Sequence, residues 1–168
     1  MKRILSFITV FTLLLTACEG PQGPPGFDGF DGEDGGILVS NAFEIELDFN
    51  ESNDYSFTEP YGFEVFPTDV TLVYILWETL DDGTQIWRPL PQFVQFNDGN
   101  LIYNYDFTQT DVRFFLEGTT NFATLDSSFT DAQTFRVVVV PADNVGRLDL
   151  SDLNAVMQAY NITEFQKR

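Results

Sequence analysis

The sequence predicts an all-β protein: an antiparallel β-sandwich of about seven or eight strands with one short C-terminal helix, preceded by an extended Gly-X-Y tract. Two observations support this prediction. Apolar and polar residues alternate with a period of two over several short runs, and Asp-Gly turns separate some of these runs. Alternating strand and helix patterns are missing, which disfavours a doubly wound sheet. A closed barrel is the alternative that the pattern leaves open.

Individual strands differ in how many faces they bury. Residues 43–50 alternate apolar with acidic or amide side chains, as in a strand with one buried face. Residues 70–80 and 135–140 are apolar on both sides, as in central strands, and Pro141 ends the second run. The turns at residues 81–84 and 97–100 predict two hairpins. The other predicted strands are residues 85–88, 92–96, 101–107 and 112–117.

Two further segments complete the globular part. Residues 119–132 are rich in Thr, Ser and Asp, and we expect a long surface connection that a few apolar side chains hold in place. Helical spacing predicts one short amphipathic helix near the end, with Asp149 or Ser151 as N-cap and Asn161 ending it. Its apolar residues are Leu150, Leu153, Val156, Met157 and Tyr160.

The amino terminus predicts export and a lipid anchor. Lys2 and Arg3 precede an apolar stretch that is shorter than the about 20 residues of a membrane-crossing helix, as in a secretory signal. The following sequence Leu15-Thr16-Ala17-Cys18 resembles the lipobox of bacterial lipoproteins. The resemblance implies removal of residues 1–17 and attachment of acyl chains to Cys18, the only cysteine. The alternative is an ordinary signal peptide with a chance cysteine.

Glycine then recurs at every third position over residues 20–35. This tract resembles a collagen-like repeat, in which only glycine fits at the axis of three chains. Two interpretations remain open, a homotrimer wound through residues 20–35 and an extended spacer of about 45 Å at ~3.1 Å per residue. The spacer is favoured because Asp28, Asp31, Glu33 and Asp34 would bring like charges to one axis. We therefore divide the chain into residues 1–17, 18–36 and 37–168.

The amino-acid composition disfavours several classes of function. The chain has 26 acidic and 8 basic residues and a formal net charge of −18, which disfavours a nucleic-acid partner. With no histidine and one cysteine it lacks a Ser-His or Cys-His pair, a His-ligated zinc site and an internal disulfide. No pair of acids is marked by apolar surroundings, so we expect no enzyme and no cofactor.

Two groups of residues are candidate binding sites. Trp87, Tyr103 and Tyr105 are candidates for a sugar-stacking platform, and packing of these rings in the core is the competing interpretation. The turn acids Asp81, Asp82 and Asp98 have the oxygens to bind calcium. However, turn formation explains them equally well, so we predict no metal site.

Residues 70–91 and 135–143 resemble the globular parts of short Bacteroidetes lipoproteins with Gly-X-Y stalks. The resemblance implies a β-sandwich, an outer-membrane location and, with Glu19 directly after the cysteine, display at the surface. We expect a non-enzymatic envelope lipoprotein that presents a structural or interaction module to a protein or glycan partner. A carbohydrate-binding module is the alternative.

Overall fold

Nine strands and one α-helix form the part of the chain that the structure describes, residues 41–141 and 148–168 of a computed structural model. The predicted signal peptide, Cys18 and the Gly-X-Y tract lie outside these residues. The strands are β1 (Asn41–Leu47), β2 (Ser56–Pro60), β3 (Asp69–Thr79), β4 (Gln85–Pro89), β5 (Gln92–Gln95), β6 (Asn100–Phe107), β7 (Asp111–Gly118), β8 (Gln133–Pro141) and β9 (Gln166–Lys167), and the helix is α1 (Leu153–Ala159).

The strands form two separate sheets. The order is β4-β3-β8-β1-β9 in the five-stranded sheet and β2-β7-β6-β5 in the four-stranded sheet. Paired strands are antiparallel except β1 and β9, which are parallel. This arrangement confirms the predicted β-sandwich and excludes the closed barrel.

The main core lies between the sheets. Alternate residues of β1, β3 and β8 meet alternate residues of β6 and β7 there, as the period-two pattern predicts. Phe114 of β7 and Phe135 of β8 join the two layers, with ring centroids 4.9 Å apart. Other side chains of these five strands that are buried in this core are Phe43, Ile45, Leu47, Val73, Ile75, Leu101, Tyr103, Val112, Leu116, Val137 and Val139.

A second apolar cluster covers the outer face of the five-stranded sheet. Tyr74, Val138 and Val140 point away from the main core and pack against Leu153 and Val156 of α1. The Tyr74 hydroxyl donates a hydrogen bond to the Leu150 carbonyl at 2.6 Å. Helix α1 therefore explains why residues 70–80 and 135–140 are apolar on both faces.

The predicted C-terminal helix exists, but its start was predicted wrongly. Asp152 is the N-cap, and its carboxylate accepts a hydrogen bond from the Asn154 amide at 2.9 Å. Asp149 instead accepts bonds from the amide and hydroxyl of Ser151, which closes a separate turn ahead of the helix. Asn161 follows the helix with a left-handed φ of 53°, as expected for a residue that ends it.

Both predicted hairpins are confirmed, since β3 pairs with β4 and β5 pairs with β6. Gly83 has a φ of 85° at the first turn, where an L-residue would be strained. At Gly118, which ends β7 with a φ of 142°, an added Cβ would collide with the Asn100 carbonyl oxygen. Strands β2 and β9 were not predicted, because neither segment alternates clearly between apolar and polar residues.

The predicted surface connection, residues 119–132, contains two single turns of 3-10 helix, Phe122–Thr124 and Ser127–Phe129. Asn121 and Asp126 cap these turns by accepting backbone amide hydrogen bonds. The apolar side chains Phe122, Leu125 and Phe129 pack against the main core. The connection is therefore held in place as the sequence predicts.

Replacing Phe114 with alanine should lower the free energy of unfolding by about 3–5 kcal/mol, because its side chain is fully buried between the sheets. Phe115→Ala is the matched control, since that side chain points to the opposite face of the same strand and should cost less than about 1 kcal/mol. Urea denaturation of both variants measures the difference. An equal loss of unfolding free energy in both variants would contradict the assignment of Phe114 to the inner face of β7 and Phe115 to the outer face.

Candidate functional site

Trp87, the first predicted ligand-binding residue, lies on the outer face of the five-stranded sheet. Its side chain is partly buried and packs against the cluster beneath α1. The guanidinium carbon of Arg136 lies 4.0 Å from the centroid of the Trp87 ring. One face of the indole is therefore occupied by a cation from the same chain.

Tyr103 and Tyr105, the other two predicted residues, point between the sheets. The Tyr103 side chain is buried at 3% exposure, and its hydroxyl donates to the Phe129 carbonyl at 2.8 Å. Tyr105 is partly buried, and its hydroxyl donates to the Thr71 carbonyl across the sandwich at 3.1 Å. The Tyr103 hydroxyl therefore joins the four-stranded sheet to the connection at residues 119–132, and the Tyr105 hydroxyl joins it to β3 of the five-stranded sheet.

The structure does not bring the three rings together. Trp87 is separated from both tyrosines by the thickness of the five-stranded sheet. Of the aromatic residues on the neighbouring strand β3, Tyr74 is fully buried and Trp77 packs against the main core with the guanidinium of Arg88 4.2 Å from its ring centroid. These residues therefore present no shared ring surface on which a sugar could stack.

Arg136 is the centre of a cluster that sequence analysis did not predict. Its Nε donates to Glu44 Oε2 at 3.0 Å, and its guanidinium also lies 4.5 Å from the Phe165 ring centroid. Lys167 Nζ lies 3.7 Å from the other oxygen of Glu44. The cluster joins β4, β8, β1 and the segment before β9 across the sheet. The cluster depends on the register of β1 and β8, which places Glu44 directly opposite Arg136. This register was not predicted from the sequence.

Arg168 makes a second connection, between the two sheets. Its backbone amide donates to the Glu44 carbonyl at 3.0 Å, beyond the end of β9. Its side chain donates to Glu59 Oε1 at 3.1 Å, to the Pro60 carbonyl at 2.7 Å and to the Tyr61 carbonyl. The guanidinium carbon lies 4.0 Å from the centroid of the Phe43 ring. One side chain therefore bridges the edges formed by β9 and β2.

Two of the three turn acids that have oxygens for calcium accept hydrogen bonds from threonine residues. Asp82 accepts a hydrogen bond from the Thr84 amide at 2.9 Å, and this bond keeps the pKa of its carboxyl below the ordinary value. Asp98 accepts from the Thr120 hydroxyl at 2.9 Å. Asp81 is exposed at the tip of the first hairpin. Within residues 41–141 and 148–168, no three acidic or cysteine side chains are grouped as metal ligands would be.

The outer surface of the four-stranded sheet has no helix over it in the described part of the chain. We call this surface the open face, and define it by the outward residues Phe93, Ile102, Asp106, Arg113, Phe115 and Glu117. Phe93 is 55% exposed and is directly opposed to Ile102, whose diagonal neighbour on β7 is Phe115. The side-chain hydrogen bond between Asn104 and Glu117 runs between Ile102 and Phe115, so these apolar residues do not form a continuous strip.

Polar contacts lie among the apolar residues of the open face. Arg113 Nε donates to Asp106 Oδ1 at 3.1 Å, and its guanidinium carbon lies 4.8 Å from the Phe115 ring centroid. Glu117 Oε2 accepts from Asn104 Nδ2 at 2.9 Å. The period-two alternation of these strands predicts which residues form the open face. Because Tyr103 and Phe114 point inward, their neighbours in the sequence point outward.

Comparisons with known proteins do not assign the chain to a family. No protein-family model, curated protein or solved structure matches it. Among the residues that the structure describes, no helix has the length and hydrophobicity needed to cross a membrane.

Replacing Arg136 with methionine should lower the free energy of unfolding by about 1–2 kcal/mol, because the Glu44 carboxylate, with a side chain only 16% exposed, loses its closest partner. Arg113→Met is the control, since both partners of that ion pair are about half exposed and such pairs contribute at most about 1 kcal/mol. Adding Glu44→Gln to Arg136→Met should restore part of the loss. Thermal denaturation that shows no restoration would contradict this account.

Alkaline pH should destabilise the domain. Burial raises the pKa of Tyr61, Tyr74, Tyr103, Tyr105 and Tyr160, so folding favours their neutral form. This contribution is fully present below the ordinary tyrosine pKa of about 10 and is lost as pH rises through the raised values.

Ultraviolet absorbance of phenolate and circular dichroism, recorded through the same alkaline titration, test this expectation. Ionisation of the buried tyrosines should coincide with loss of β-structure. Complete ionisation near pH 10 with the fold intact would show that the phenols are accessible, and would contradict the packing described here.

Proposed function

We propose that the chain is a non-enzymatic lipoprotein of the bacterial cell envelope that presents the β-sandwich as a structural or interaction module. The sequence Leu15-Thr16-Ala17-Cys18, directly after a charged and then apolar leader, is the observation that carries this proposal. Two or three acyl chains at one cysteine provide lasting membrane attachment, whereas a single chain gives only marginal binding. The outer membrane is the proposed location, with the sandwich exposed at the surface.

Residues 20–35 serve in this proposal as a spacer between the lipid and the folded domain. The regular glycines and the prolines near the start of the tract favour an extended chain, and its acidic residues oppose collapse. Winding of three chains through the tract is the alternative assembly. In either case the domain is held away from the headgroups and is free to meet a partner.

The geometry of the domain supports a role in contacts rather than in chemistry. Asp82, Asp126 and Asp149 have lowered pKa values because each accepts hydrogen bonds within its own turn. The buried tyrosine hydroxyls of Tyr74 and Tyr103 donate to backbone carbonyls. The open face, by contrast, has exposed apolar side chains that no element of the described chain covers. These side chains are available for contact with a partner.

Cys18→Ala should abolish incorporation of labelled palmitate and move the protein from the membrane to the soluble fraction, because the sulfur is the proposed attachment atom. The matched control adds Gln22→Cys to Cys18→Ala, which restores a cysteine four positions later without restoring the lipobox. We expect no label on this control. Palmitate incorporation into either variant would show that the anchor lies elsewhere.

A further inference from the structure

We propose that the edge strand β5 binds an extended, positively charged peptide segment of a partner protein, which adds to the four-stranded sheet as a further strand. Such a site gives the proposed interaction module a class of partner, and it rests on the proposed function only in that the module has a partner. The hydrogen-bond pattern of the β5–β6 hairpin, the other sheet edges and the charge of the chain support it.

The hydrogen-bond pattern of the hairpin determines which main-chain groups of β5 point away from β6. The Phe96 amide donates to the Gly99 carbonyl at 2.8 Å, and the register places Val94 in the same relation to β6 two residues earlier. In an antiparallel pair, residues that bond to the neighbouring strand alternate with residues that do not. Phe93 and Gln95 therefore direct their N–H and C=O groups away from β6. We call these four groups the β5 edge.

The side chains of the strand leave the β5 edge accessible. Phe93 lies on the open face, and both it and Gln95 are exposed. The side-chain nitrogen of Gln95 turns back to the Phe96 and Gly99 carbonyls of its own hairpin, at 2.8 and 2.7 Å. An incoming strand can therefore reach the main-chain donors and acceptors of β5.

Strand β4, an edge of the five-stranded sheet, is protected by a proline. The Leu90 amide, directly after the strand, donates to the Val73 carbonyl at 2.9 Å, so Pro89 faces away from β3. Proline has no N–H, and the Pro89 carbonyl already accepts a hydrogen bond from the Gln92 side chain at 2.8 Å. An incoming strand finds no donor at this position.

Strand β2, at the opposite edge of the four-stranded sheet, is protected in the same way. The Tyr61 amide donates to the Thr110 carbonyl at 3.0 Å, so the preceding Pro60 faces away from β7. The Pro60 carbonyl accepts a hydrogen bond from Arg168 Nη1 at 2.7 Å. The side chain of the last residue therefore covers part of this edge.

The remaining edge carries charged side chains. Strand β9 consists of Gln166 and Lys167, and the stretch of β1 that it leaves uncovered includes Glu46. Prolines and charged side chains on edge strands prevent unwanted pairing in natural sheets. Strand β5 has neither, and residues 89–97 contain no charged side chain. Among the edges of the two described sheets, β5 therefore lacks both kinds of protection.

Charge determines the kind of segment that fits the β5 edge. The whole chain has a formal net charge of −18, and the turn between β5 and β6 includes Asp98. A basic segment is therefore attracted, whereas an acidic segment or a second copy of this chain is repelled. An apolar side chain of the added strand gains contact with the exposed Phe93 ring. We therefore expect a segment in which basic and apolar residues alternate.

The short length of β5 limits the strength of the contact. The N–H and C=O groups of Phe93 and Gln95 form at most four main-chain hydrogen bonds with an added strand. We therefore expect weak association in dilute solution, and stronger association where the partner is held at the same membrane and the effective concentration is high.

Amide hydrogen exchange, followed by NMR on the full chain in detergent, tests the site with the peptide acetyl-Lys-Val-Lys-Val-Lys-Val-Lys-amide. Without the peptide, the Phe93 and Gln95 amides should exchange about ten-fold faster than those of Val94 and Phe96, which bond to β6. Saturating peptide should slow exchange at Phe93 and Gln95 about ten-fold. Unchanged exchange at both amides, or slowing confined to other strands, would overturn the proposal. Slowing that needs no peptide and grows with protein concentration would identify a second copy as the occupant and also overturn it.

Two control peptides separate strand addition from attraction by charge alone. The same peptide with every backbone nitrogen methylated keeps its charge but donates no main-chain hydrogen bond, so it should bind about ten-fold more weakly. A Glu-Val peptide of equal length reverses the charge and should not bind. Equal binding of the methylated peptide would contradict strand addition, and equal binding of the Glu-Val peptide would contradict the preference for a basic segment.

A proline substitution tests the main chain of β5 directly. Gln95→Pro removes one N–H of the β5 edge without removing a hydrogen bond to β6, so the Lys-Val peptide should bind about ten-fold more weakly. Gln95→Val is the matched control, since it loses the same side chain but keeps the amide. Fluorescence anisotropy of labelled peptide measures both affinities, and circular dichroism verifies that each variant is folded. Equal affinities of the two folded variants would refute pairing through Gln95.

Mass spectrometry of the full chain used in these experiments separates the edge site from the proposed function. Acylated Cys18 in a chain that does not bind the peptide would refute the edge site and leave the lipoprotein proposal intact. Peptide binding by a chain with a free Cys18 thiol would refute the anchor and leave the edge site standing.

Discussion

Burial of β8 on both faces is the constraint on which the rest of the domain depends. Val137 and Val139 face the space between the sheets, and Val138 and Val140 face outward. An apolar outer face requires a cover, and α1 with the segment around Leu150 provides it. The four-stranded sheet has no comparable requirement, because its outward residues are mostly polar. The two outer surfaces of the sandwich differ for this reason.

The sequence predicted the fold well because period-two alternation reports directly on which side chains are buried. The two-sided apolar character of residues 70–80 and 135–140 already implied a third layer. The candidate site was harder to predict. Trp87 and Tyr103 are both aromatic, but strand register places them on opposite sides of a sheet, and register between distant strands cannot be read from composition. The N-cap was missed because Asp149 and Asp152 are both acceptable caps by type.

Arginine has a consistent structural role in this acidic chain. Arg88, Arg113, Arg136 and Arg168 each place a guanidinium against an aromatic ring, and three of them also pair with a carboxylate. The flat guanidinium makes both contacts at once, which a lysine ammonium does less well. Carboxylates far outnumber these cations and keep most of the surface negative, while the few cations hold particular strands together.

The pairing of β1 with β8 joins parts of the chain that are far apart in sequence. Glu44 and Arg136, which face each other in this ladder, are separated by 92 positions. Long-range pairings of this kind form slowly, because the intervening chain must be closed into a loop before the contact is gained. A nascent chain therefore lacks the centre of its larger sheet until most of the domain has been synthesised. Under the export that we propose for this chain, such a delay would keep the polypeptide unfolded while it crosses the membrane.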